Sequence, residues 1–136
     1  MLFDLIVIGS GPAGQRAALQ GAKAGKKVAI IEENTAMGGG CVHVGTLPSK
    51  SFRESVYRWS LGSRGTLGQE SEHTGRKAAK KKKDALPDIK RLLQRKDRVV
   101  SVESQVIFDQ LKRNGITIVH GHARILSPNE VQVTSK

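Results

Sequence analysis

Between Leu2 and Glu32 the chain spells out one supersecondary unit. The apolar run Leu2-Phe3-Asp4-Leu5-Ile6-Val7-Ile8 is followed by a glycine cluster, an alanine-rich segment from Ala13 to Ala24, and a second apolar run from Lys27 to Ile31. A short, continuous apolar run bounded by glycine suits a strand buried on both faces of a parallel sheet. The alanine-rich segment carries its apolar residues at helical spacing, and Gly25 stops it. Two parallel strands need a crossover connection, and a helix of this length supplies one. A chain that opens in this way is committed to an α/β fold.

The loop inside that unit carries the first chemistry. Gly9-Ser10-Gly11-Pro12-Ala13-Gly14 fits G-x-G-x-x-G between strand and helix, the context in which the motif has a mechanism. Gly9 permits the tight turn, Gly11 lets the backbone reach a pyrophosphate, and Gly14 lets the helix pack closely on the strand. Pro12 and Ala13 lie between them in the same phosphate-facing loop, where a helix N-terminus favours negative charge. Glu32 lies 18 residues beyond Gly14. A carboxylate there accepts hydrogen bonds from ribose hydroxyls and disfavours a 2′-phosphate. Glu33 competes for that role. A nucleotide-free α/β turn would use similar glycines, but strand, glycines, helix, strand and acid together favour dinucleotide binding.

A second glycine-rich stretch, Gly38 to Lys50, reads GGGCVHVGTLPSK. Three bare glycines suit a backbone lying flat against a planar or phosphorylated ligand at close range. Cys41 follows at once. It is the only cysteine in the chain, so no intrachain disulfide can form, and a hydroxyl stands at Thr46 where a second sulfur would close a short redox loop. If the segment is helical, Thr46 and Lys50 share a face, with Pro48 in the first turn or at a kink. The bland alternative is a flexible loop capping a helix, with Cys41 a small buried hydrophobe.

Composition narrows the class. The 136 residues, 38% of them hydrophobic, suffice for one domain or less with a sizeable core. The net charge of +11 is local: residues 76–98 hold eleven Lys or Arg against three Asp. Such a run reads as a solvated loop or helix face. Without interleaved aromatics or a reading motif it does not indicate specific nucleic-acid binding. The apolar run Leu5 to Ile8 is too short for a signal-peptide core or a membrane span, which makes the cytosol the expected compartment. No His, Cys or carboxylate spacing suggests a metal site.

VIGSGPAG, the IIE that ends the second strand, and GGGCVHVGTLPSK, in that order and spacing, resemble the FAD-binding N-terminus of the pyridine nucleotide-disulfide oxidoreductases. The resemblance implies a Rossmann-like FAD-binding βαβ unit with a parallel sheet, a long helical crossover and a C-terminal β-hairpin. It implies FAD contacts from Gly9, Gly11, Pro12, Ala13, Gly14, Glu32 or Glu33, Gly39, Gly40, Cys41, Gly45, Thr46 and Lys50. Disulfide reductases of the family carry a C-x-x-x-x-C pair in the second motif. Here Cys41 matches the distal cysteine and Thr46 replaces the flavin-proximal one, a form that resembles the soluble transhydrogenase branch. A disulfide reductase needs two sulfurs within reach of each other. Thr46 excludes that route. The resemblance implies hydride exchange between NADPH and NAD at FAD, with Thr46 and Lys50 beside the flavin and Lys50 stabilising its reduced form.

Beyond Lys50 the residues say less. Residues 51–61 continue as a plausible helix with Phe52, Val56 and Trp59 as core. Residues 62–84, rich in Gly, Ser and Lys, read as a flexible basic loop or insert, with His73 exposed to solvent. Residues 86–114 support a long helix with Ile89, Leu92, Leu93, Val99, Val106, Ile107 and Leu111 on a broad face, its centre weakened by valines. Residues 116–119 form a strand. Gly121-His122-Ala123 resembles the family segment beside the FAD adenine, which places His122 and Ala123 there and gives His43 and His120 no stronger claim. Val131-Gln132-Val133 alternates like a hairpin strand.

The resemblance spans 1–136 but only about the first third of a family member. The expected reading is an incomplete FAD-binding domain, with the nicotinamide-binding domain and the homodimer interface domain outside this chain and turnover by the chain alone not expected. A non-catalytic FAD- or ADP-binding fragment is the rival.

Overall fold

The computed structural model describes residues 1–63 and 89–135. The opening unit has the expected order, β1 (Leu5–Ile8), α1 (Pro12–Lys23) and β2 (Val28–Glu32), but β1 is not buried on both faces as expected: Val7 is buried while Ile6 and Ile8 are exposed. β1 and β2 pair in parallel with Val7 opposite Ile30. Strand β1 starts three residues later than the apolar run. Leu2 is exposed, Phe3 lies under the Lys27 ammonium at 5.3 Å, and the Asp4 carboxylate accepts a hydrogen bond from the Lys27 amide at 2.7 Å. Helix α1 starts one residue earlier than Ala13, because Pro12 at the first helical position has no N–H to lose and a φ already suited to the helix.

Strand β2 is the centre of the molecule, buried at every position from Val28 to Glu32. On its other side it pairs in parallel with β3 (Thr117–His120), Ile30 opposite Ile118. The sheet order is β1-β2-β3. Between β2 and β3 the chain runs through α2 (Gly39–His43), α3 (Thr46–Ser63) and α4 (Ile89–Arg113). The 25-residue α4 is the expected long crossover helix. Its valines at 99, 100 and 102 do not interrupt it, because Val100 packs against the core and tertiary burial outweighs a weak local propensity.

One core joins these elements: Val7 and Ile30 from the sheet, Leu19 from α1, Met37 and Val42 near α2, and Ile107 and Leu111 from α4. The expected face of α4 is broader than the buried one, since Ile89, Leu93 and Val106 are exposed. On α3, Phe52 and Trp59 are more than a third exposed, against the expectation of core. The stripe of α3 with the least exposure runs instead through Leu47, Ser51 and Ser55, four residues apart, and α3 packs along α4. Small side chains let two helices approach closely.

The chain closes with β4 (His122–Ser127) and β5 (Glu130–Thr134), an antiparallel hairpin with a bulge between Ile125 and Ser127. The second hairpin strand is as expected. Its partner β4 begins where sequence alone suggests only a strand end and a small turn. The 62–84 insert is shorter at its start, because α3 runs to Ser63; residues 64–84, with His73 and the lysine run, lie outside the described residues, as do 86–88 of the expected helix. Among the described residues no helix is long and apolar enough to cross a membrane.

Candidate functional site

The carboxyl ends of the three parallel strands lie along one edge of the sheet, where α/β folds take their ligands. Three loops line it: Gly9 to Gly14 after β1, Glu32 to Gly40 after β2, and His120 to Ala123 after β3.

Two glycines of the first loop meet hard steric limits. A side-chain carbon on Gly14 would overlap the carbonyl oxygen of Gly9, so the first turn of α1 can close on β1 only without one. Gly9 has φ +93°, which glycine adopts at little cost. Gly11 differs: a carbon added there meets nothing within 4 Å. Its bareness is not needed for packing, and it leaves open space at the head of α1. The Gln15 amide donates to the Gly11 carbonyl at 2.9 Å, so by helix geometry the amides of Ala13 and Gly14 have no partner within α1. Two donors, a bare Cα and the positive end of a 12-residue helix fit a pyrophosphate.

Glu32 is 6% exposed. One carboxylate oxygen accepts the Ser10 amide at 2.8 Å and the Ser10 hydroxyl at 2.6 Å. The other accepts the Asn34 amide at 3.0 Å and the Asn34 carboxamide at 3.2 Å. Burial pushes the carboxyl up, but the donors from Ser10 and Asn34 together outweigh it and hold the group below its ordinary value. The acid is thus ionised and fixed at the end of β2. Glu33, the competing acid, is about half exposed and stands 3.5 Å from Nδ1 of His122.

The third loop is tied to the second by main chain. The Gly121 amide donates to the Glu32 carbonyl at 3.0 Å, and His120 Nδ1 lies 3.2 Å from the Asn34 carbonyl. Gly121 has φ +153°, and an added carbon would press on the Thr134 carbonyl at 2.7 Å, so the turn into β4 requires glycine. Thus His122 stands beside Glu33, just past the end of β2.

The Gly38 segment is not flat throughout. Gly38 takes φ +124° and Gly39 φ +61°, after which residues 39–43 wind into the short α2. An added carbon on Gly39 would lie 2.9 Å from Cα of Gly11, so the two glycine loops touch. Gly40 has open space around it. Cys41 is half-buried and free. The His43 ring donates through Nε2 to the Met37 carbonyl at 2.9 Å, a structural tie. Helix α3 begins at Thr46, which puts Thr46 and Lys50 one turn apart on one face. Pro48 sits in the first turn, where its missing N–H costs nothing. Both Thr46 and Lys50 are exposed, and Lys50 lines a groove with Leu47, Ser51, Glu54, Arg95 and Val99.

The residues that sequence reasoning missed are Ser10, Gln15 and Asn34. The Gln15 carboxamide donates to the Ser10 carbonyl at 2.7 Å. Ser10 occupies a free position of the glycine motif and gave no signal. Asn34, a short polar residue two after an acid, could have been read as a turn partner. Among the described residues no group of His, Cys, Asp and Glu could hold a metal ion.

The chain is 39% identical over 132 residues to the soluble pyridine nucleotide transhydrogenase of Mycobacterium tuberculosis, covering 96% of this chain and 26% of that protein. It is 36% identical over 131 residues to the soluble pyridine nucleotide transhydrogenase of Hamiltonella defensa, with the same coverage. Among solved structures, the Cu(II) complex of the HOCl-induced flavoprotein disulfide reductase RclA from Escherichia coli superposes with a TM-score of 0.73 at 27% identity, covering 98% of this chain and 25% of that one. The chain therefore spans about a quarter of the length of the relatives it matches. Residues 3–136 match the sequence pattern of the pyridine nucleotide-disulphide oxidoreductases, and the chain belongs to that family.

Proposed function

We propose that this chain is the N-terminal, FAD-binding portion of a flavoprotein oxidoreductase of the transhydrogenase type. The observation that carries the reading is the open Gly11 at the head of α1, with an ionised acid fixed at the end of the neighbouring strand at Glu32. When bound there, FAD supplies hydride exchange between NADPH and NAD. The residues of the chain supply position and charge. Gly9, Gly11, Pro12, Ala13 and Gly14 hold the pyrophosphate, and Glu32 or Glu33 takes the ribose. His122 and Ala123 border the adenine. Gly39, Gly40, Cys41 and Gly45 carry the backbone along the ligand toward Thr46 and Lys50. The Lys50 ammonium there favours the reduced, more negative flavin.

A disulfide relay does not fit this chain, since Cys41 has no second sulfur. That supports direct hydride exchange over the disulfide chemistry named for the bacterial reductase. Residues 1–136 are read as one part of the FAD domain; nicotinamide binding and homodimer formation belong to segments outside this chain, and the compartment is the cytosol. Calorimetric titration with FAD, ADP and FMN tests the binding mode. Because the adenosine diphosphate half meets the glycine loop and the acid, FAD and ADP bind while FMN does not. Binding of FMN alone, or no binding of ADP, would contradict it.

A further inference from the structure

Ser10 has no exposed surface and uses every polar atom that it has. Its amide and hydroxyl donate to one oxygen of Glu32, 22 positions away, and its carbonyl accepts from Gln15. The same hydroxyl oxygen accepts the Gly38 amide at 2.9 Å, 28 positions away. A serine hydroxyl has one proton to give, and here Glu32 receives it, so the Gly38 amide must be the donor in the other bond. Of the two bonds at that oxygen, only the hydroxyl's takes its direction from Glu32 being ionised, since a backbone amide can only donate.

The far side of that pair is the turn at Gly38 and Gly39, which presses on Gly11. A single buried oxygen thus joins the acid after β2, the glycine loop after β1 and the start of the second glycine segment. Hydrogen bonds in series polarise one another, so what happens at the carboxylate is felt at the amide. With four protein donors on Glu32, a ribose hydroxyl that approaches it must share or displace one of them. Of the two donors at the other oxygen, the Asn34 carboxamide belongs to an exposed residue, whereas the Ser10 donors are buried and stay in place.

We propose that Ser10 is the positioning residue that couples the two halves of the nucleotide site. A ribose hydroxyl that donates to Glu32 draws on the charge that holds the Ser10 hydroxyl, and so weakens, through that hydroxyl, the bond of the Gly38 amide at the head of the segment that leads to the flavin end. The coupling rests on the nucleotide reading given above, and it goes beyond it by making the adenosine half free the start of the other half before any flavin contact.

Hydrogen exchange at single amides, with ADP as the probe, tests this in the present chain. ADP carries no flavin, and because its pyrophosphate would lie beside Gly11 and Gly39, the Ser10 variants separate the path through the hydroxyl from direct contact. The unaltered chain should show exchange at the Gly38 amide quickened roughly fivefold by saturating ADP, the scale of one weakened hydrogen bond. The Gly45 amide, which donates to the Gly40 carbonyl at 2.8 Å without passing through Ser10, is the internal control and should change less than about twofold. In Ser10→Ala the response at Gly38 is lost although ADP still binds, and Ser10→Thr, which keeps the hydroxyl, restores it. Slowing at Gly38, alone or together with Gly45, would mean rigidification by the ligand and would overturn the coupling even if Ser10→Ala fails to fold. So would a full Gly38 response in Ser10→Ala. Failure of the unaltered chain to bind ADP is a different result: it removes the nucleotide reading, and the coupling with it.

Discussion

Glycines 11 and 14 share a motif but differ in physics, and a single added methyl separates them. In an ordinary helix Gly→Ala stabilises by about 1 kcal/mol. At Gly14 the added carbon overlaps the Gly9 carbonyl, so Gly14→Ala should cost about 1–3 kcal/mol instead, read from urea unfolding. At Gly11 the methyl enters open space, so Gly11→Ala should leave stability within about 0.5 kcal/mol while weakening FAD binding. The motif was legible in the residues; which glycine serves packing and which leaves room for a ligand was not, because that depends on where the Gly9 carbonyl points. Glu32 makes a further prediction. Its folded value is depressed, so its stabilising contribution is complete above the unfolded value of about 4.3 and disappears as pH falls through the lower folded one. Unfolding free energies measured from pH 7 to pH 3 should fall less steeply below about 4.3 in Glu32→Gln than in the unaltered chain. Parallel curves would show that the Ser10 and Asn34 donors do not favour the ionised form.

Among the elements, α4 carries the largest burden, closing the core over β2 and β3. Leu111 is 1% exposed in that core, while Val106 on the same helix is 50% exposed. Leu111→Ala should cost about 2–5 kcal/mol and Val106→Ala less than about 1 kcal/mol, measured by thermal or urea unfolding. Similar costs would mean that α4 does not pack by the stripe described. Periodicity placed this helix and both early strands, since long buried patterns leave strong traces. It could not place α2, whose Gly39 and Gly40 carry no pattern, or the start of β4, where residues 122–127 are mostly exposed and lack an apolar alternation. On α3 the aromatic spacing pointed to the wrong face, because Ser51 and Ser55 occupy the less exposed stripe. Those elements are fixed by contacts with distant residues, as Gly121 is by the Glu32 carbonyl.

At the scale of the whole molecule the parallel sheet, the crossover helix and the loops at the strand ends form a unit in which each loop touches the next. Gly39 lies on Gly11, Ser10 holds Glu32, and Gly121 is bonded to the Glu32 carbonyl. The chain covers about a quarter of its relatives, so the account is one of a cofactor site rather than of turnover. The sequence legibly specified that site's outline, whereas its internal ties through Ser10 and Asn34 needed the structure. The direct test is to mix the purified chain with excess FAD, pass it through gel filtration, and record the visible absorption spectrum of the protein peak. The account predicts about one flavin per chain co-eluting with folded protein, with much less in Gly11→Ala. A folded, colourless peak from the unaltered chain would contradict it.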